Sequence, residues 1–284
     1  MQIHLLPART GWYWIRDAFR VLVRQPVALV AITFLSLLLM SLTVLVPFVG
    51  TVAPLVLAPA LMVGLMRAIR TTDEGGTPLP SMLFAAFRED GGRAWRALAM
   101  LGAINAAATM AALALAAAID GGFLLELAIG NIDNIEPAAV NETSLWLAAA
   151  TFVTAYAPVQ MAMWYSPLFI AWHRITVGKA LFFSVWAVGR NWRAFLVYAT
   201  GWFAILFCAS ILLRLAQGAF AAHPFLWSMI MSPISLVLIT LMYCSVWPSW
   251  RDAVRERPDP DDETDPGGDG RAGPTDGQEP LLRP

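Results

Sequence analysis

Apolar residues run from Val27 to Val46 without a charge, whereas the stretch before them, Gly11 to Gln25, alternates with a helical period. In that first stretch Trp12, Ile15, Phe19, Leu22 and Pro26 fall on one side, and Arg16, Arg20 and Arg24, spaced four apart, fall on the other. The pattern predicts an interfacial helix over 11–25 that ends at Arg24-Gln25-Pro26 and feeds a first membrane span. At 1.5 Å per residue, residues 27–46 are long enough to cross a hydrocarbon layer of about 30 Å as a helix.

The same alternation recurs along the chain. Pro47-Phe48-Val49-Gly50 reverses it, and a second span over 51–66 holds Pro54, Pro59 and Gly64 before Arg67 and Arg70. A polar connection leads to a short amphipathic helix over 81–89, with Leu83, Phe84 and Phe87 on its apolar side. The third span, 97–119, is crowded with alanine, which lets membrane helices approach closely; Asn105 is its one strongly polar residue and is expected to bond across helices. An acidic connection, 120–142, carries no Lys or Arg, and its apolar middle, 123–129, suits a place on the bilayer or as a cap on the bundle. Asn141-Glu142-Thr143 fits a glycosylation acceptor, read here as a chance match. The fourth span, 144–172, contains Pro158 and Pro167 and is expected to kink or tilt. A helix over 179–192 precedes the fifth span, 194–213, and the sixth, 225–247, contains Pro233. From 251 to 284 the chain is rich in Pro, Gly and Asp and reads as a disordered acidic tail.

Three borders resemble one another: Arg24-Gln25-Pro26-Val27-Ala28-Leu29, Arg93-Ala94-Trp95-Arg96-Ala97-Leu98 and Arg190-Asn191-Trp192-Arg193-Ala194-Phe195. Each follows an amphipathic segment and precedes one proline-free span and one proline-bearing span. The expected fold is therefore all-α: a polytopic membrane helical bundle of about six transmembrane helices, in three weak repeats of amphipathic helix plus two spans.

Composition supports that class. The chain is 58% hydrophobic and 14% charged, against about 45–50% and about 25% for globular proteins. The net charge of -1 conceals a basic body and an acidic tail. Of 19 Lys and Arg, all but Arg214 fall before the first span, in 67–96, in 174–193 or in the tail, so the positive-inside rule puts both termini in the cytoplasm. The first apolar run is too long for a cleaved signal peptide and is expected to be retained. Cys208 and Cys244 sit at different depths and read as free thiols.

Chemistry is sparse. His4, His173 and His223 are scattered, and no zincin, Walker or nucleophile-elbow motif occurs, so no catalytic residue, metal or cofactor is expected. An interfacial enzyme would need His173 beside Asp73, Glu74 or Glu89. The span interiors lack ionisable groups, which argues against proton coupling. Asn105, Tyr156 and Gln160 could line a polar cavity; a water-wide cavity at mid-membrane would favour a permease or channel, and a dry alanine seam a structural protein. Trp12, Arg16, Arg20, Arg24, Trp95, Arg96, Trp192 and Arg193 form an aromatic and basic set beside the spans, better suited to anionic lipid headgroups than to nucleic acid.

The opening Pro7-Ala8-Arg9-Thr10-Gly11-Trp12-Tyr13-Trp14-Ile15, with Phe19, Arg24-Gln25-Pro26, Leu57-Ala58-Pro59-Ala60 and Gly64, resembles an uncharacterised family of bacterial inner-membrane proteins. In layout the chain is more distantly similar to membrane domains fused to some glycerophosphodiester phosphodiesterases, though it has no phosphodiesterase domain. The resemblance implies a bacterial cytoplasmic membrane and supplies no activity. A structural, envelope-organising or docking role is expected, with a protein partner conceivable at the cytoplasmic face or tail.

Overall fold

The computed structural model describes residues 2–46, 50, 52–88, 93–129, 141–219 and 224–255. After a two-residue strand β1 (Gln2–Ile3) come the helices α1 (Thr10–Arg24), α2 (Pro26–Val44) and α3 (Ala53–Asp73), then a 3-10 turn (Pro80–Phe84) continued by α4 (Ala85–Arg88). Next are α5 (Arg93–Asp120), α6 (Phe123–Ile129), α7 (Glu142–Met163), α8 (Ser166–His173), α9 (Val177–Arg190), α10 (Trp192–Ala219), α11 (Pro224–Ala253) and β2 (Val254–Arg255). Six helical segments are long and apolar enough to cross a membrane, with α7 and α8 together making the fourth. The repeat layout is therefore present in element order. The last helix runs beyond the expected border at 250, and β2 pairs antiparallel with β1; the acidic tail from 256 lies outside the described residues.

The break in the fourth span has a local cause. Pro167 has no N–H and its ring conflicts with the carbonyl four residues back, so the helix stops at Met163 and restarts at Ser166. Ser184 of α9 meets the interruption: its hydroxyl donates to the Met161 carbonyl at 2.8 Å and accepts from the Tyr165 N–H at 3.0 Å. Pro158, by contrast, is carried inside α7. At the start of α7, the Asn141 side chain accepts from the Thr143 N–H at 2.9 Å, so the residue that imitates a glycosylation acceptor serves as a helix cap.

The amphipathic segments dock in a cyclic order. The 80–88 segment packs on α3, α9 packs on α7 and α8, and α1 packs on α10 and α11. Each thus leans on the second span of the repeat before it, and α1 closes the ring by reaching the last repeat. Two glycines permit close approach. A Cβ at Gly11 would lie 2.0 Å from the Ala194 carbonyl oxygen, and one at Gly64 would lie 2.5 Å from the Leu83 backbone.

This closure corrects the expected face of α1. Trp14, Ile15, Ala18, Val21 and Leu22 are buried against the bundle, whereas Trp12 and Phe19 are exposed. Beneath α1 lies an aromatic core. Trp14 meets Phe195 and Tyr198 at centroid distances of 5.2 and 5.8 Å, and Trp250 meets Phe169 and Tyr165 at 4.8 and 5.5 Å. Asn191, 1% exposed, ties the amino terminus to the same end: the Leu6 N–H donates to Oδ1 at 2.8 Å, and Nδ2 donates to the carbonyls of His4 and Ala187, each at 3.0 Å.

The far halves of α10 and α11 carry exposed apolar side chains such as Phe203, Leu215 and Phe225, the surface a helix presents to lipid. Cys208 lies on that exposed stretch and Cys244 is buried. A membrane-permeant maleimide should therefore add one label per folded chain, and a second only after denaturation. Rapid double labelling in the intact-mass spectrum would mean that α11 is not packed as described.

Candidate functional site

At the basic end, three aspartates hold α1, α3 and α11 together. Asp73 closes α3, and its Oδ2 accepts from Trp247 Nε1 at 2.9 Å and from Arg251 Nη1 at 3.2 Å. Asp17 of α1 accepts from Arg251 Nη2 at 3.2 Å and from Arg20 at 3.1 Å, and lies 3.7 Å from Arg16. Asp252 accepts from Trp14 Nε1 at 3.1 Å and from Arg251 Nε at 3.2 Å.

Arg24 is drawn into this latch. It lies 3.4 Å from Asp73 Oδ1 and donates to the carbonyls of Thr72 and Asp73 at the C-terminus of α3, where a cation is favoured by the helix dipole. The carboxylates are turned inward: the side chains of Asp17, Asp73 and Asp252 are 14%, 19% and 28% exposed, against 57% for Arg16 and Arg20. None of these aspartates stands out in the sequence as a site, because each sits among arginines whose spacing dominates the pattern.

The other residues of the expected lipid set are placed as follows. Trp12 is half exposed, with its ring beside Gly201 of α10, and the Arg16 guanidinium lies 4.8 Å above the Tyr13 ring. Trp192 and Arg193 are exposed, with the guanidinium 5.5 Å from the indole, and Arg96 is exposed. Trp95 is turned partly inward, its ring 4.6 Å from Phe87.

A cavity of about 460 Å³ lies between α3, α5, α7, α8, α10 and α11. It takes in two of the three residues expected to make a polar cavity, Asn105 and Gln160. Tyr156 is not among its walls and instead stacks on Phe152 of its own helix at 5.3 Å. Nor does Asn105 make the expected bond across helices through its carbonyl: Oδ1 is buried and has no hydrogen-bond partner, and the same holds for Nε1 of Trp164, another wall residue. Leaving such a group unpaired costs about 1–3 kcal/mol. Tyr198 and Tyr243 also line the space, and Tyr198 Oη lies 2.7 Å from Ser245 Oγ. Their tyrosine hydroxyls are the polar signal that an apolar reading of the spans passes over.

The elements of an interfacial enzyme are not assembled. The His173 ring lies against Trp250 and Phe169 at 5.8 and 5.9 Å, Asp73 is taken up by the latch, and Glu74 pairs with Arg70 at 2.8 Å. Glu89 and His223 lie outside the described residues. Among the described residues no cluster of His, Cys, Asp or Glu is placed to hold a metal ion.

Among known proteins, the chain is similar to a protein of Burkholderia thailandensis named as a probable inner membrane protein, with 37% identity over 252 residues, 88% of this chain and 93% of that one. No family model and no solved structure matches it.

Proposed function

The chain belongs to the family of that Burkholderia inner-membrane protein, and on this footing we propose that it is a non-enzymatic, envelope-organising protein of a bacterial cytoplasmic membrane, seated by its basic end on anionic headgroups. Both termini then face the cytoplasm, following the distribution of Lys and Arg.

One observation carries this reading: at the basic end the carboxylates are turned into the latch while arginines and aromatic rings are turned out. Asp17 at 14% exposure neutralises little of the outer surface that Arg16 and Arg20 present at 57%. Arginine beside an exposed aromatic ring, as in Arg16 with Tyr13 and Arg193 with Trp192, suits the headgroup boundary. Each such cation is worth about 1 kcal/mol near an anionic surface.

The test is charge reversal of Arg16, Arg20, Arg96 and Arg193 to glutamate, with Arg24 and Arg251 left in place. Native mass spectrometry of protein extracted from mixed bilayers should show the retained phosphatidylglycerol falling severalfold relative to phosphatidylcholine, with helicity unchanged. An unaltered lipid ratio would remove the proposal.

A second reading, a permease for a small solute or lipid, is favoured by the cavity that holds Asn105 and Gln160. Transport would further require that cavity to open in turn towards each side.

A further inference from the structure

The cavity's position and lining go further than either reading. Its walls lie within the spans: Met62 is five residues from Arg67, Tyr198 five from Arg193, Asn105 nine from Arg96 and Ile239 twelve from Arg251. At 1.5 Å per residue these are depths of roughly 8–18 Å below the basic border, inside the hydrocarbon layer. The lining holds no Asp, Glu, Lys, Arg or His, so a charged ligand would find no counter-charge there.

The polar groups point to what would fit. Asn105 Oδ1 is a buried acceptor lacking a donor, and Trp164 Nε1 is a buried donor lacking an acceptor. A hydroxyl or an amide supplies both. The rest of the wall is apolar and adaptable, with Met62, Met163 and Met242 around Pro59 and Pro167, a surface that shapes itself to a flexible chain. The volume, about 460 Å³, falls in the range of small-ligand pockets, about 300–1,000 Å³.

Entry is available from the side. α10 packs on α1 and α9 instead of running along α7 or α11, and Gln160 is exposed where α7 borders the space. The opening therefore faces lipid. We propose that this cavity is a binding site for an uncharged single-chain amphiphile with a hydroxyl or amide head, taken up laterally from the bilayer, its head held by Asn105 and Trp164 and its chain among the three methionines.

This site does not depend on whether the basic end engages anionic lipid, and its test reads a different quantity. The full-length protein in nanodiscs is photolabelled with a long-chain alcohol bearing a diazirine in its chain, and the adducts are mapped by peptide mass spectrometry. Labelling should concentrate around Met62, Met163 and Met242 and fall about fivefold or more with excess monoacylglycerol, but not with an alkane or a fatty-acid carboxylate of equal length. Asn105→Leu should lower cavity labelling by about five- to tenfold, as expected for loss of one buried hydrogen bond, while Cys244 stays protected from maleimide. If Asn105→Leu does not fold, Gln160→Leu at the exposed margin should still lower the labelling rate. Adducts spread evenly over α2 and α10, competition by the carboxylate as strong as by monoacylglycerol, or unchanged labelling in a folded Asn105→Leu protein would each overturn the assignment.

Discussion

Replacing Gly64 with leucine should cost about 3 kcal/mol or more and lower the melting temperature by roughly 6–12 °C. The reason is what surrounds it. A Cβ at this position would lie within 2.6 Å of the Cα, carbonyl carbon and oxygen of Leu83, all backbone atoms that cannot rotate away. The 3-10 turn would have to lift from α3, and buried Leu83 would come with it. Gly178 supplies the control, since nothing lies within 4 Å of its would-be Cβ, so Gly178→Ala should be neutral or slightly stabilising. The measurement is the thermal exposure of the Cys244 thiol in detergent. A Gly64→Leu protein that melts with the wild type would show that the 80–88 segment is not seated on α3.

Asp73→Ala should be the next most damaging change, at about 2 kcal/mol. It leaves Trp247 Nε1 without its acceptor and removes one of the carboxylates that hold Arg251. The figure is kept below that of a fully buried pair because Arg24 and Arg251 are each more than 40% exposed and partly screened by water. Asp17 and Asp73 share Arg251, so the Asp17→Ala, Asp73→Ala double variant should depart from additivity by about 0.5–1 kcal/mol. Strictly additive losses, each under about 0.5 kcal/mol, would show that the three helices are held by packing alone.

The spans were legible because their signal is local: twenty apolar residues announce themselves wherever the chain goes. α2 runs over 26–44 where the pattern predicts 27–46. The face of α1 was not legible, because Trp12 and Phe19 are as apolar as Trp14 and Val21, and the choice between them is made by partners some 180 to 240 positions further on. Asn105 and Gln160 stand out as amides in apolar runs, and the cavity contains both. Tyr156 was grouped with them by polarity, yet Phe152, four residues earlier on the same helix, takes its ring. The latch was hidden for the same reason as the face of α1: Asp17 and Asp73 acquire meaning only when α3 and α11 are brought together.

Ring closure by α1 also sets a schedule. The helix is among the earliest parts of the chain to be synthesised, and its partners α10 and α11 are among the latest. At about 5–20 residues per second, roughly ten to fifty seconds pass before Asp252 exists to receive Trp14. Through that interval the helix has an apolar face and no protein to bury it on. The bilayer surface is the available resting place for a basic amphipathic helix. The interfacial helix read from the sequence thus describes the nascent chain, and a ribosome halted before α11 would leave α1 parked on the membrane, an unfinished terminus open to quality-control proteases.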